Sequence, residues 1–329
     1  MAILITGGAG FVGLNVAEFL CDRGESVVLF GPSPPPAGAL TALQKRRGCA
    51  HFAAGDVSVG SDLDAVIESY AIDGIIHGAA ITADLAREWR AARDIFVVNL
   101  LGTVEVLEAA LRHRVNRVVQ LGTGSIFGAA GMASESLDEQ TSPALPTTLY
   151  GISKFAAERA GLRYRDTREL NLTVARLGMV FGRWEYETGV RDTLSMAFQL
   201  ARMAEKGMDA VIHRNAPDDW VYSVDVARGL VELLDLPRSP EPIYHLSAGI
   251  RWSIEAWCRR LKERFPEFEY SFADRLEDCT VKRNSSARRS PMSIARIQRD
   301  TGYKPQFLLD HAFDDYTSWR DTNRDLLEA

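Results

Sequence analysis

Residues 6–13 read Thr6-Gly7-Gly8-Ala9-Gly10-Phe11-Val12-Gly13. The stretch follows the apolar run Ala2-Ile3-Leu4-Ile5, and it precedes a segment with Val12, Val16, Phe19 and Leu20 at helical spacing. Gly24 then marks the end of that helix. A strand, a glycine turn and a helix in this order form an anion seat. Glycines allow the tight turn and a close backbone approach, and the helix N-terminus presents unpaired N–H groups to a pyrophosphate. Gly8, Gly10 and Gly13 satisfy G-x-G-x-x-G, while Gly7, Gly10 and Gly13 satisfy the related T-G-x-x-G-x-x-G. The placement, more than the pattern, makes the reading specific.

Working outward, apolar runs alternate with helical patterns. Ser26–Phe30, His51–Ala54, Gly74–His77, Arg117–Leu121 and Leu172–Leu177 read as further strands. Helical patterns cover Ser61–Tyr70, Glu88–His113 and Gly151–Thr167. This alternation predicts an α/β fold with a doubly wound parallel sheet of the Rossmann type. After Gly182 the rhythm changes. Helical patterns over Thr193–Lys206, Ser223–Leu236 and Ser253–Phe265 mix with the short strand Ala210–His213. The expectation is a dinucleotide-binding domain over 1–177, with segments near 214–247 returning to it. Residues 178–329 would mainly form a smaller, discontinuous α/β substrate lobe.

The chain of 329 residues has 38 Lys and Arg against 44 Asp and Glu, a formal net charge of −6. That balance disfavours a general nucleic-acid binder. No uncharged apolar run is long enough to span a membrane. The first basic residue is Arg23, so the apolar start lacks the basic region of a signal peptide. Cys21, Cys49, Cys258 and Cys279 show neither disulfide-scaffold nor zinc-ligand spacing, and the six histidines are scattered. A reducing, cytoplasmic setting and no metal site are expected.

Tyr150-Gly151-Ile152-Ser153-Lys154 places a phenol and an ammonium one helical turn apart. A free tyrosine titrates near pH 10, and a nearby ammonium favours its phenolate. The pair can exchange a proton with an alcohol while nicotinamide exchanges a hydride. After the fifth strand comes Gly122-Thr123-Gly124-Ser125, where either Thr123 or Ser125 could hold the substrate oxygen. The second strand ends Phe30-Gly31-Pro32-Ser33 without a carboxylate. NAD and NADP both stay open: Ser33 is a candidate cofactor contact, and Lys45, Arg46 or Arg47 could fold back to this end. Asp56, in Gly55-Asp56-Val57, reads either as an adenine partner or as a turn residue.

With these pieces in order the chain resembles the extended short-chain dehydrogenases/reductases, specifically the NAD-dependent epimerase/dehydratase family. His77-Gly78-Ala79-Ala80, Val98–Thr103, Arg176–Gly182, Asp219–Ala227 and Thr301–Pro305 extend the resemblance over nearly the whole length. It implies Tyr150 as acid/base, Lys154 as its activator and ribose ligand, and Thr123 as the catalytic hydroxyl. Gly7, Gly10, Phe11, Val12 and Gly13 would bind the pyrophosphate. Asp56 and Val57 would face adenine, Ala79, Ala80 and Leu177 would line the cofactor, and Asn99 would support the site. A homodimer would pair the helices near Glu88–His113 and Gly151–Thr167 of two copies.

The family's dehydratases carry Asp-Glu after the catalytic threonine; here stand Gly124 and Ser125, which disfavours water elimination. Met179 and Asp218 occupy positions where phosphate ligands often stand in the family. Arg183, Arg191, Arg275, Arg288 and Arg289 are candidate replacements, with Ser125, Met179, Arg183 and Arg191 as substrate contacts. Trp184 and Tyr186 could stack on a sugar or base, or pack the lobe interface. The resulting expectation is an NAD(P)-dependent epimerase or oxidoreductase acting on a carbinol of a sugar or sugar derivative. A net dehydrogenase of a non-nucleotide sugar or sugar acid, and a non-catalytic dinucleotide-binding regulator, are the alternatives.

Overall fold

The computed structural model describes residues 2–214, 219–283 and 289–327. The first strand, β1 (Ala2–Thr6), enters the glycine turn and α1 (Phe11–Asp22). The chain then alternates through β2 (Ser26–Gly31), α2 (Ala37–Gln44), β3 (Cys49–Ala54), α3 (Gly60–Tyr70) and β4 (Ile72–His77). Helix α4 (Leu85–Phe96) runs through a π-helical turn at Val97–Leu101 into α5 (Gly102–Arg112). Next come β5 (Arg117–Thr123), a 3-10 segment at Gly124–Ala130, α6 (Leu149–Arg168) and β6 (Leu172–Leu177).

All strand pairs of the main sheet are parallel. Its seven strands lie in the order β10-β6-β5-β4-β1-β2-β3, with β10 (Ile243–Leu246) at one edge. The chain winds outward in both directions from β1 and β4. The chain leaves their C-terminal ends toward opposite faces of the sheet, the place where open α/β sheets bind ligands. Apolar side chains cover both faces. Leu14, Val16 and Leu20 of α1 pack on one side with α8 (Ser223–Asp235). Val106, Leu107 and Ala110 of α5 pack on the other.

The second half adds β7 (Met179–Phe181), α7 (Met196–Glu205), β8 (Ala210–His213) and β9 (Trp220–Tyr222) before α8. Helix α9 (Ile254–Arg264), β11 (Tyr270–Ala273), α10 (Ala295–Thr301) and α11 (Leu309–Leu327) follow β10. Two small parallel pairs, β7 with β9 and β8 with β11, frame an aromatic cluster around Phe181. The rings of Trp220, Tyr222, Trp252 and Trp257 lie 5.2–5.3 Å from it.

The six expected strands of the main sheet are present. The seventh, β10, is four residues long with a histidine in the middle, too short to carry a period. Helix α2 follows a proline run that reads as loop. Helix α11 shows no clear period in the sequence because polar residues crowd it, although Ala312, Phe313, Tyr316 and Trp319 line a buried stripe.

Candidate active site

One cavity of about 620 Å³ runs along the C-terminal edge of the sheet. Its lining brings together Gly7, Gly10, Phe11, Val12, Gly13, Ser33, Ala80, Thr123, Ser125, Tyr150, Lys154, Leu177, Met179 and Arg191.

The glycine turn is built for close packing. Gly7 adopts φ +65°, and a β-carbon there would stand 2.9 Å from Ala79 Cα. One on Gly13 would stand 2.7 Å from the carbonyl oxygens of Gly7 and Gly8. Gly10 caps α1 without a side-chain bond, and the first turn holds no acidic residue. The opening N–H groups of the helix thus keep their charge for an anion. Behind the turn, the Thr103 hydroxyl donates to Asn99 O at 2.7 Å, so it accepts from His77 Nε2 at 2.9 Å. His77 Nδ1 then accepts from Thr6 Oγ1 at 2.7 Å. Burial pushes His77 down to about 3, so this latch stays neutral.

Tyr150 and Lys154 sit in the first turns of α6, which Thr148 caps by accepting from the N–H of Gly151 at 3.1 Å. Asn99 projects from the π-helical turn. It donates to Ser153 Oγ at 3.0 Å and clasps Ile81 through both backbone groups. It is a positioning residue that pins α6 to the loop after β4. Thr82, Thr123 and Tyr150 line the same cavity, and the two hydroxyls act on the phenol.

Burial raises the phenol above its usual value, while those two hydroxyls and the charges of Arg191 and Arg289 pull it back. The expected net lowering is therefore reversed, because desolvation outweighs the nearby positive charge. Lys154 is 3% exposed. Burial lowers its ammonium to about 8, with Glu158 opposing. Among the described residues nothing hydrogen-bonds or ion-pairs with it. A buried ammonium facing a cavity without an acceptor suits the hydroxyls of a ribose. The tight turn, the uncapped helix and this ammonium together fit a nicotinamide dinucleotide.

A strap over residues 183–195 crosses the cavity above the glycine turn. Tyr186, Glu187, Thr188, Val190 and Arg191 line its inner side. Arg87 on α4 grips Asp192 at 2.6 and 2.7 Å and donates to Gly189 O at 2.6 Å. Arg191 stacks on the Phe11 ring at 5.2 Å, with its Nη1 3.2 Å from buried Glu185. Sequence reasoning missed this closure, since nothing local links Arg87 to Asp192.

Several expected contacts lie elsewhere. Arg183 is outside the cavity: its Nε donates to Asp315 at 2.8 Å, because that carboxylate on α11 is the nearer partner. Asp56 is exposed and accepts from the N–H and hydroxyl of Ser58, both at 2.8 Å, the turn reading of this residue. Val57 packs under Gly102, and Ala79 supports the turn from behind, donating to Thr6 Oγ1 at 3.3 Å. Neither they nor Asn99 reach the cavity wall.

Trp184 packs edge-on against Trp319, and its indole donates to Glu18 at 2.6 Å. Arg275 is exposed and paired with Glu277. Arg46 is held by Glu18 and Asp22, so it does not fold back to the ribose, and neither Lys45 nor Arg47 lines the cavity. Asp218 and Arg288 lie outside the described residues.

Fold and site define a nicotinamide-dependent oxidoreductase of the doubly wound type. Residues 3–249 match the model of the NAD dependent epimerase/dehydratase family, and the chain belongs to that family. It is 26% identical over 340 residues to a dTDP-glucose 4,6-dehydratase of Actinoplanes sp., covering 98% of this chain and 99% of that one. The structure of a UDP-glucose 4-epimerase from Thermotoga maritima with UDP-glucose superposes at TM-score 0.83 and 20% identity, covering 98% of this chain and 100% of the other. A dTDP-glucose 4,6-dehydratase from Bacillus anthracis with NAD gives 0.79 at 18% identity, covering 100% and 99%. The protein is accordingly an enzyme that moves a hydride between nicotinamide and a carbinol of a sugar derivative. No helix among the described residues is long and apolar enough to cross a membrane.

Proposed function

We propose that the protein epimerises a nucleotide sugar at a carbinol carbon, using NAD that it retains between turnovers. One observation carries the reading: Thr82, Thr123 and Tyr150 line one cavity together with the glycine turn and Lys154. When bound, NAD supplies a hydride acceptor and then a donor. Thr123 holds the reacting oxygen, and the Tyr150 phenolic oxygen takes its proton and later returns it. Lys154 orients the ribose and favours the phenolate.

Lys154, Arg191, Lys282, Arg283 and Arg289 line the cavity, with Glu187 as the one carboxylate among the described lining residues. That excess suits a diphosphate. Gly124 and Ser125 offer no acid to drive dehydration. The ribose end, Gly31 to Pro34, has no cation for a 2′-phosphate, which favours NAD over NADP. In this reading residues 1–177, with later segments near 214–247, hold the cofactor, and 178–329 mainly hold the substrate.

Leu85 and Trp89 on α4, Leu101 after it and Ile152 on α6 are 68%, 82%, 54% and 40% exposed. A second copy packing its own α4 and α6 there would bury them as a homodimer. All four cysteines are free, in keeping with the cytoplasm.

Denaturing the purified protein and identifying the nucleotide it releases tests the cycle, together with NMR of UDP-glucose and dTDP-glucose after incubation. Released NAD and an inverted carbinol are expected. An empty protein that accumulates free reduced cofactor supports the net dehydrogenase instead. Cofactor binding with no turnover of any sugar overturns the enzyme mechanism.

A further inference from the structure

Arg289 reaches the reaction site from a distant part of the chain. Its Nε donates to Asp219 Oδ2 at 3.1 Å, and its Nη2 lies 3.0 Å from the same oxygen. Asp219 is wholly buried, and its other oxygen accepts from the Ser247 hydroxyl at 2.6 Å. The guanidinium is thus fixed along one edge, with its side chain 14% exposed. The other end, Nη1, lies over Gly124, only 2.5 Å from where a β-carbon would stand. Glycine at 124 is what admits the cation, and position 124 adjoins Thr123. Among the described residues no acceptor meets Nη1, although Arg289 lines the cavity with Thr123, Ser125 and Tyr150. Its charge also acts on the Tyr150 phenol.

We propose that Arg289 is a specificity-determining residue whose guanidinium, seated over Gly124, binds a carboxylate on the carbon next to the reacting carbinol. The substrate class is then a nucleotide-linked uronic acid, and the inference rests on the nucleotide-sugar reading above. A guanidinium held on one edge by Asp219 presents donors at fixed geometry. A carboxylate satisfies them with charge-assisted bonds that a hydroxymethyl group cannot match. Arg191 is less available for this role, since it already donates to Thr193 O at 3.2 Å and pairs with Glu185.

UDP-glucuronate and UDP-glucose differ only at that substituent and serve as probes. The readout is the near-ultraviolet absorbance of nicotinamide reduced on the enzyme, with kcat/KM for each probe. The wild type should favour UDP-glucuronate by about tenfold or more, the worth of one hydrogen bond to a charged group. Arg289→Lys keeps the charge opposite Asp219 but loses the planar reach. Gly124→Ala keeps Arg289 but displaces it. Both should shrink the preference, with the affinity for UDP alone as the control for folding. Equal use of both probes, or preference for UDP-glucose, overturns the inference while leaving the epimerase reading intact. So does an equal loss on both probes in the two variants. If neither probe nor its thymidine counterpart reduces the nicotinamide, the nucleotide-sugar reading falls and takes this inference with it.

Discussion

The phenolic hydroxyl of Tyr186 donates to the carbonyl oxygen of Ala9 at 2.6 Å. The bond ties the strap to the glycine turn proposed to seat the pyrophosphate, across 177 residues of sequence. Burial pushes Tyr186 up to about 12, so it remains a donor through the physiological range. A dinucleotide seated on this turn would lie beside the latch and beside the segment that Arg87 holds through Asp192.

Removing the latch should therefore speed cofactor release. Tyr186→Phe deletes one neutral hydrogen bond, worth about 0.5–1.5 kcal/mol, so release should quicken by about 2- to 10-fold. Arg87→Ala removes a charged bidentate pair and should do more. Stopped-flow displacement of bound reduced nicotinamide, followed by its fluorescence, measures both. Unchanged rates in both variants would mean the strap does not gate the cofactor.

Tyr150→Phe keeps the ring in place and removes the atom proposed to exchange the proton. Turnover should fall by about 10²–10⁴-fold, the usual weight of a positioned acid/base. The NAD dissociation constant, measured by calorimetry, should stay within a few-fold. A parallel loss of binding would instead mark the tyrosine as part of the cofactor seat.

How far these residues could be read from sequence depended on distance along the chain. The turn at residues 6–13 and the Tyr150–Lys154 pair are local, because one glycine spacing and one helical turn fix their geometry. The alternation of strands and helices likewise announced the sheet. Arg183 and Arg289 show what is not local. Both are arginines near expected lobe segments, yet one faces Asp315 and the other Gly124 and Asp219. Sequence shows that a guanidinium needs an acceptor; only the fold selects which. The desolvation of Tyr150 was hidden for the same reason, since burial is a property of the assembled cavity.

Gly13→Ala tests the turn without touching a catalytic group. Its new β-carbon would meet two carbonyl oxygens at 2.7 Å, both backbone and unable to swing aside. Overpacking of this kind costs about 1–3 kcal/mol. The displaced turn should weaken NAD binding by about tenfold or more, while far-ultraviolet circular dichroism stays that of the wild type. Undiminished affinity would show that the pyrophosphate does not depend on this turn.

Lys154 ties the site to stability through pH. Its pKa falls from 10.5 to about 8 on folding because the ammonium is buried. Below about pH 8 the lysine is charged in both states, and the folded protein bears the whole desolvation cost. Between about 8 and 10.5 the unfolded chain binds a proton that the folded one has released, so stability rises with pH in that window. A shift of this size corresponds to about 3 kcal/mol. Lys154→Met removes the ionisable group and keeps the apolar stem. Without added NAD, the variant should be the more stable protein at pH 7, and its advantage should shrink toward zero as pH approaches 10.5. Urea titrations of both proteins across that range measure the difference directly. A constant offset would mean that Lys154 titrates alike in folded and unfolded chains, and that its ammonium is solvated rather than held in the cavity wall.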